Sequence, residues 1–540
     1  MLRRLLLSLA TCLPFLHAMA QDGLWSPVSK SSLQTYMNAR SAVSPLPNNY
    51  ELVKLNHNLL QKLQQQAPLG KPGDRSFLSF VPISLPLPVA GQSLSSAFTE
   101  SPIISDELSK QLTGLKTYQL SDPVTHVLQG RLTITAQSVT GLIFTSNGSA
   151  YISPVGPDQP DVHMVYYVKD IPVTEPLLCG VKEAMAGPVA NNRMETVLAG
   201  DCQLRNYKLA VVATGEYTAW AGGTQAQALA YITTLVNDVT AIYQRDCGIT
   251  FTLVSNNSII FTNAATDNYS TSFPNATTLS INHNTLNSNL GNSNYDLGIV
   301  LSNAWNGGLS TTGVVCNSSN KGEAAAGYTT GRGSNPTAGP QGPEFVASVA
   351  HEIGHQFNAT HTMASDGGSC YGLVNAATAW EPGGGSTLMA YAGTCGNAYQ
   401  RYKDLYFHGG SILQITNYAV NSATCGSTTS MSNTAPTVSV AAASYTIPVS
   451  TPFMLTANGA DANNNTLYYC WEQMDGGYSS LPPSATATSG PNFRSYPPTT
   501  SNTRMFPRLK DLSSGTATPY EMLPSVSRSM TFQVMVRDEA

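Results

Sequence analysis

Apolar residues recur every three or four positions in a few stretches of this chain and every second position in many more. Residues 225–246 (QAQALAYITTLVNDVTAIYQRD) keep the helical spacing throughout, and Cys247-Gly248 supplies a stop. Residues 343–353 repeat the pattern, with Phe345, Val346, Val349, Ala350 and Ile353 on one side and Pro343 in the first turn, where a helix accepts proline. Residues 50–66 (YELVKLNHNLLQKLQQQ) and 411–420 (SILQITNYAV) also predict helices. Alternation predicts strands over 131–136, 162–168, 207–213, 249–254 and 296–302. A polar stretch, 426–435 (GSTTSMSNTA), reads as a linker, and beyond it strands are predicted over 437–440, 445–449, 453–457, 467–471 and 530–536. The order of elements divides the chain into an apolar leader over 1–20, an α+β unit over 21–200, an α/β unit over 201–428 and an all-β sandwich over 436–540.

Length and composition agree with several domains outside the cytosol. A chain of 540 residues has room for about three or four domains. Charged residues make up 11%, where about a quarter is usual, and Gly, Ser, Thr and Asn take their place. The net charge of −5 offers no basic surface for nucleic acid or anionic lipid. The leader has Arg3 and Arg4, an apolar run over 5–16 and Ala18-Met19-Ala20, the pattern of a secretory signal cleaved after Ala20. That run is too short to span a bilayer, and no later stretch is apolar enough for a transmembrane helix. The expected location is therefore extracellular. Cys12 lies in the leader, while Cys179, Cys202, Cys247, Cys316, Cys370, Cys395, Cys425 and Cys470 are disulfide candidates in an exported protein.

The densest chemistry lies at 351–361, HEIGHQFNATH, which holds three of the nine histidines. Positions i and i+4 of a helix share a face, so His351 and His355 can reach one metal ion, and Glu352 projects close enough to take a proton from an activated water. His361 is too far along to stay on that face. The chain must turn, and His361 then completes a three-histidine site with a fourth position open, the catalytic rather than the structural form of a zinc site. The spacing resembles the metzincin signature HExxHxxGxxH. Asn358 stands where that signature has glycine, and asparagine is the next residue best able to take a positive φ.

Other residues extend the resemblance to the reprolysin-like group, and above all to its secreted bacterial members. Residues 386–391 (STLMAY) resemble the Met-turn, with Met389 packing beneath the histidines rather than ligating, since a thioether binds zinc weakly. Resemblance to the astacin and serralysin types makes Tyr391 a candidate stabiliser of the oxyanion. Residues 176–182 (PLLCGVK) resemble the cysteine switch of reprolysin-type zymogens, in which the Cys179 thiolate would fill the open position and Gly180 would let the backbone pass close to the cleft. Thr362 follows the third histidine, where reprolysins proper often carry aspartate.

The resemblance implies a metzincin catalytic domain over 201–428, α/β (α+β) with a mixed twisted sheet, preceded by an α+β prodomain over 21–200. In that family an edge strand pairs with the substrate backbone, and residues 309–314 are the candidates here. It also implies a disulfide from a cysteine ahead of the zinc helix to one near the domain end, which Cys316–Cys425 fits; Cys370–Cys395 would then staple the loop before the Met-turn and Cys202–Cys247 would use the remaining two, with Cys179 a thiol and Cys470 alone in the last unit. Residues 183–206, with Arg193 and Arg205, would be the processing linker. The last unit resembles immunoglobulin-like and cadherin-like sandwiches. Its turn at 461–465 (DANNN) resembles calcium-binding turns, although one carboxylate is a poor Ca2+ donor set. The function implied is a secreted zinc metalloendopeptidase, made latent, that uses one Zn2+ and Glu352 as general base on protein or peptide substrates. The rival readings are an inactive surface adhesin built on the same domain and a zinc amidase acting on cell-wall peptides.

Overall fold

The computed structural model describes residues 23–32, 46–70, 80–156, 159–172, 178–181, 200–329, 342–396, 400–515 and 520–538. The predicted leader, Pro176, Lys182 and Arg193 lie outside them.

The first unit is a nine-stranded antiparallel sheet. Its spatial order is Trp25–Pro27, Tyr50–Leu55, Val162–Tyr167, Gly148–Pro154, Val139–Thr145, Leu128–Ile134, Lys116–Ser121, Ser93–Glu100 and Val81–Pro86. Alternate residues serve two different cores, as the period of a strand requires. Val53, Leu55, Ile143, Ile152 and Val165 pack with Leu60 and Leu63 of the helix His57–Gln66. Leu52, Leu142, Tyr151, Met164 and Tyr166 face the other way, into the main core of the second unit. The helix expected over 50–66 is therefore a strand followed by a helix. Asn56 divides them, because its side chain caps the helix by accepting a hydrogen bond from Leu59 N.

The second unit is built on a mixed sheet ordered Leu178–Cys179, Gly307–Ser310, Ala324–Gly327, Leu297–Ser302, Gln203–Ala213 and Ile249–Leu253. The strand Ser427–Ser430 pairs antiparallel with the start of Gln203–Ala213. The expected linker over 426–435 is thus partly sheet, its exposed Thr and Ser side chains carrying no apolar signal of a strand. The helix Gln225–Cys247 ends at Gly248, which is left-handed. Every residue from Ile232 to Tyr243 is buried, because the helix lies between this sheet and the nine-stranded one.

Polar residues on that helix meet polar residues of the first unit. Arg131 is 1% exposed and donates to Asn237 Oδ1 (2.7 Å), Gln244 Oε1 (2.9 Å) and the Ser101 carbonyl (2.8 Å). Tyr151 Oη donates to Asp238 Oδ2 at 3.1 Å.

The last unit has a three-stranded sheet (Thr437–Val440, Phe453–Ala460, Thr503–Phe506) and a two-stranded one (Tyr468–Gln473, Phe532–Arg537) around Ala457, Tyr469, Trp471, Phe493 and Phe506. Residues 445–449 form no strand. Pro448 lacks the N–H a ladder needs, and Tyr445 and Val449 are exposed. The unit is anchored on the second one through Arg537 Nη1 to Asp246 Oδ1 (2.6 Å), Tyr406 Oη to Ser495 Oγ (2.9 Å) and Gly409 N to Glu472 Oε2 (2.7 Å).

Cys316–Cys425 and Cys370–Cys395 are bonded. The third expected bridge is absent. Cys247 turns into the main core at the end of its helix, while Cys202 takes a left-handed backbone (φ 53°) ahead of its strand.

Arg131→Met would leave its partners on the helix unpaired. The full chain should lose about 3 kcal/mol in denaturant unfolding, with the slope of the transition unchanged.

Candidate active site

The helix Pro343–Gln356 has Gly342 at its N-cap, Pro343 in its first turn and Ile353, Val349 and Phe345 in the main core. Asn358 ends it in the left-handed region at φ 68°, where its N–H donates to the His355 carbonyl at 2.8 Å. This turn brings His361 back under the helix. His355 Nε2 then lies 3.2 Å from His351 Nε2 and 3.1 Å from His361 Nε2.

The opposite nitrogens fix the tautomers. His351 Nδ1 donates to the Leu388 carbonyl (2.7 Å), His355 Nδ1 to Ala359 (2.8 Å) and His361 Nδ1 to Leu373 (3.3 Å). All three Nε2 lone pairs therefore point at one place. Burial pushes His355 down to about 4 and His351 and His361 well below the usual histidine value, so the rings are neutral, as metal ligands must be. Cys179 Sγ is 3.6 Å from His355 Nε2, and the ligand atoms of Cys179, His351, His355 and His361 lie within 4.8 Å of one another. Among the described residues no other His, Cys, Asp or Glu group clusters in this way. At the turn at Asp461 the carboxylate Oδ1 accepts from Asn463 N and Asn465 N, while its Oδ2 has no hydrogen-bond partner.

The donor set fits zinc. Neutral imidazoles, each oriented by a carbonyl, are the usual ligands of such a site, and convergent lone pairs repel unless a cation lies between them. Glu352 is 1% exposed, and its Oε2 has no hydrogen-bond partner. Burial pushes it up to about 8, against the pull of Ser310 and Cys179. Gly308 makes room for it, since a Cβ there would lie 2.3 Å from Glu352 Oε1.

Met389 lies directly beneath the helix, where a Cβ at Gly354 would come within 2.6 Å of its Sδ. Residues that sequence reasoning missed hold this turn. Glu381 is fully buried and accepts from Thr362 Oγ1 (2.7 Å), Ser386 N (2.8 Å), Thr387 N (3.2 Å) and Thr387 Oγ1. It ties the residue after the third histidine to the residues before Met389. Lys403 Nζ lies 3.0 Å from both the Leu388 carbonyl and His351 Nδ1, so two donors converge on one oxygen. Burial lowers this lysine to about 8, against Cys179, Glu352 and Glu381. A lone carboxylate in a glycine-rich stretch of a charge-poor chain was the one signal for Glu381; Lys403 had none.

The strand beside the histidines is Gly307–Ser310, shorter and earlier than the 309–314 expected. Past Ser310 the chain leaves the sheet to cap the helix, with Gly313 N donating to the His355 carbonyl and Val314 N to Gln356. Leu178–Cys179 pairs with it in parallel, and Gly180 N donates to the Gly308 carbonyl at 2.8 Å. Gly307 permits this approach, because a Cβ there would collide with the Leu178 backbone. Tyr391 Oη donates to the Cys179 carbonyl at 2.6 Å.

Three buried imidazoles on a helix and its following turn, with a carboxylate beside them, are the residue set of a metal-dependent hydrolase. Residues 204–419 match the model of the metallo-peptidase family M12B, reprolysin-like, a family of zinc enzymes, and the match supports a reprolysin-like metzincin domain in this part of the chain. No curated protein matches the chain. One similar solved structure, described as the structure of a chaperone-substrate complex, shares 13% identity with a TM-score of 0.25 over 54% of this chain. The match spans 39% of that chain's length, and a likeness at this level carries no argument.

Glu381→Ala should free the turn that aims Leu388 at His351. Zinc affinity of the full chain, measured by competition with a chelator, should fall roughly tenfold or more.

Proposed function

We propose that the chain is a secreted zinc metalloendopeptidase made in a latent form, with residues 21–200 as prodomain, 201–428 as catalytic domain and 436–540 as a supporting module. The observation that carries this reading is the meeting of three imidazole nitrogens and the Cys179 sulfur beside a strand already paired with the Cys179 backbone. His351, His355 and His361 hold the metal. When bound, zinc supplies Lewis acidity, polarising a peptide carbonyl and acidifying water.

The chain's own residues do the rest. Glu352, buried and with a carboxylate oxygen to spare, takes the proton of the attacking water and returns it to the leaving amine. The strand Gly307–Ser310 holds an extended peptide by its backbone. Tyr391 supplies a phenol donor; its hydroxyl, now on the Cys179 carbonyl, is placed to meet a substrate oxygen in the same cleft. Met389 and Glu381 keep the imidazoles at their angle from below. In the latent form Cys179 would serve as fourth ligand, its sulfur lying among the imidazole nitrogens.

Export is supported by the leader-like first twenty residues and by two disulfides. No helix among the described residues is long and apolar enough to cross a membrane.

Protein hydrolysis by the processed enzyme should stop with a zinc chelator and return with added zinc. Glu352→Ala should lose at least about 100-fold in kcat while binding zinc normally; parent-like cleavage by this variant would rule out the assigned base. Cleavage of a cell-wall peptide but of no protein would favour the amidase. Cys179→Ala in the unprocessed chain should be active without processing, whereas unchanged latency would mean that the first unit simply covers the cleft.

A further inference from the structure

A segment that no motif marks, residues 261–275, carries Phe273 against the residue that follows Cys179 in the cleft. The segment is held at both ends. Asp267 accepts from Gly215 N (2.7 Å) and Tyr269 N (3.0 Å), and Tyr269, itself buried, reaches Asn282 Oδ1 (3.1 Å). The Ser270 carbonyl accepts from Trp305 Nε1 at 2.8 Å, and Trp305 stands just ahead of the cleft strand Gly307–Ser310. At the far end Asn275 caps the helix Ala276–Asn289, accepting from Thr277 N (2.9 Å) and Thr278 N (3.2 Å). Phe273 projects between these anchors and is 40% exposed.

An exposed phenylalanine on a fixed loop invites the question of what it covers. It covers the segment in the cleft. A Cβ added at Gly180 would lie 3.0 Å from Phe273 Cε1 and 3.4 Å from Leu309 Cδ1. Residue 180 adjoins the residue whose sulfur meets the imidazoles, and its N–H is paired with the cleft strand at Gly308. The ring of Phe273 and the side chain of Leu309 thus lie so close over residue 180 that a side chain there would have to push the ring aside.

We propose that Phe273 is a specificity-determining residue, which restricts one subsite beside the scissile bond to glycine or another very small residue. The inference rests on the peptidase reading above. A substrate pairs with the same strand in its own register, and the residue it presents beside Leu309 passes under the same ring. The substrate class is therefore extended peptides with a small residue at that position, and Gly180 fits the latent form for the same reason.

The test is a cleavage profile of the processed enzyme and of its Phe273→Ala variant on a peptide library, followed by kinetics on a matched pair differing only in Gly or Leu at the selected position. The parent should select Gly, Ala or Ser at one position adjoining the cut. In Phe273→Ala the ratio of kcat/KM for the Leu peptide to that for the Gly peptide should rise about tenfold or more, mainly through KM. A parent with no small-residue preference, or a ratio within twofold of the parent's in the variant, overturns the proposal. A parent that cleaves no peptide overturns the peptidase reading itself. A second arm uses the unprocessed chain: Gly180→Ala should weaken latency and Gly180→Ala/Phe273→Ala should restore it. Equal latency of the single and double variants would also overturn the proposal.

Discussion

Three buried imidazole nitrogens, two of them within 3.2 Å of the third, set the constraint on which the rest of this architecture depends. Their lone pairs repel one another, and each is held in place by a carbonyl on its far side. Those carbonyls come from three places: Ala359 in the turn that ends the helix, Leu373 in the loop after it, and Leu388 beside Met389. Each must itself be fixed. The left-handed Asn358 fixes the first, and the disulfide Cys370–Cys395 braces the loop that carries the second. Glu381, Lys403 and the close fit of Met389 under Gly354 fix the third. Burying a carboxylate and an ammonium so near the site is costly unless they are paired with donors and acceptors. Here they bind backbone groups of the turn that aims His351.

The same logic extends outward through the helix Gln225–Cys247. A helix buried all round cannot stand on one sheet, and the nine-stranded sheet covers its second face. The covering is partly polar: Arg131, Asn237, Gln244, Tyr151 and Asp238 satisfy one another where two separable units meet. A face so composed costs less to expose to water than an apolar one of equal area. That suits a first unit that must leave in the proposed activation. The last unit meets the second through Asp246, Glu472 and Tyr406, and it supports the closing helix Gly409–Asn421 at its N-terminus through Glu472.

Much of the site was legible because its signals are local. Helical spacing places His351 beside His355, and an asparagine in the glycine position of the turn marks the return to His361; Asn358 is left-handed as that reading required. The helix boundaries near 225, 343 and 411 were legible for the same reason, whereas the two bonded disulfides, one joining residues 109 apart, came from the family resemblance. The illegible parts are those fixed by distant partners. Glu381 and Lys403 have no spacing that announces them, since their partners are backbone groups of a turn. Strands such as Ser93–Glu100 are rich in Ser and Thr and lack the apolar alternation that marks a strand. Residues 50–66 have leucines at both periods, and only Asn56 separates strand from helix. The reverse error occurred at 445–449, where the apolar alternation is present but Pro448 and the want of a partner leave it outside any sheet.

The orientation of the Cys179 segment explains how an enzyme of the proposed kind can hold a peptide in its own cleft without cutting it. The segment runs parallel to Gly307–Ser310, and its backbone is engaged at Gly180 N and at the Cys179 carbonyl. Hydrolysis needs a peptide carbonyl between the imidazole nitrogens and the Glu352 carboxylate. Here a side-chain sulfur faces the imidazoles, while the neighbouring carbonyl is turned to Tyr391. The group proposed to stabilise the oxyanion thus also holds a carbonyl away from attack in the latent state. Latency then follows from which atom the strand pairing presents to the imidazoles, and the tightness of binding is secondary. It requires a thiol at 179 for affinity, glycines at 307 and 180 for close approach, and the parallel register that turns the Cys179 carbonyl to Tyr391.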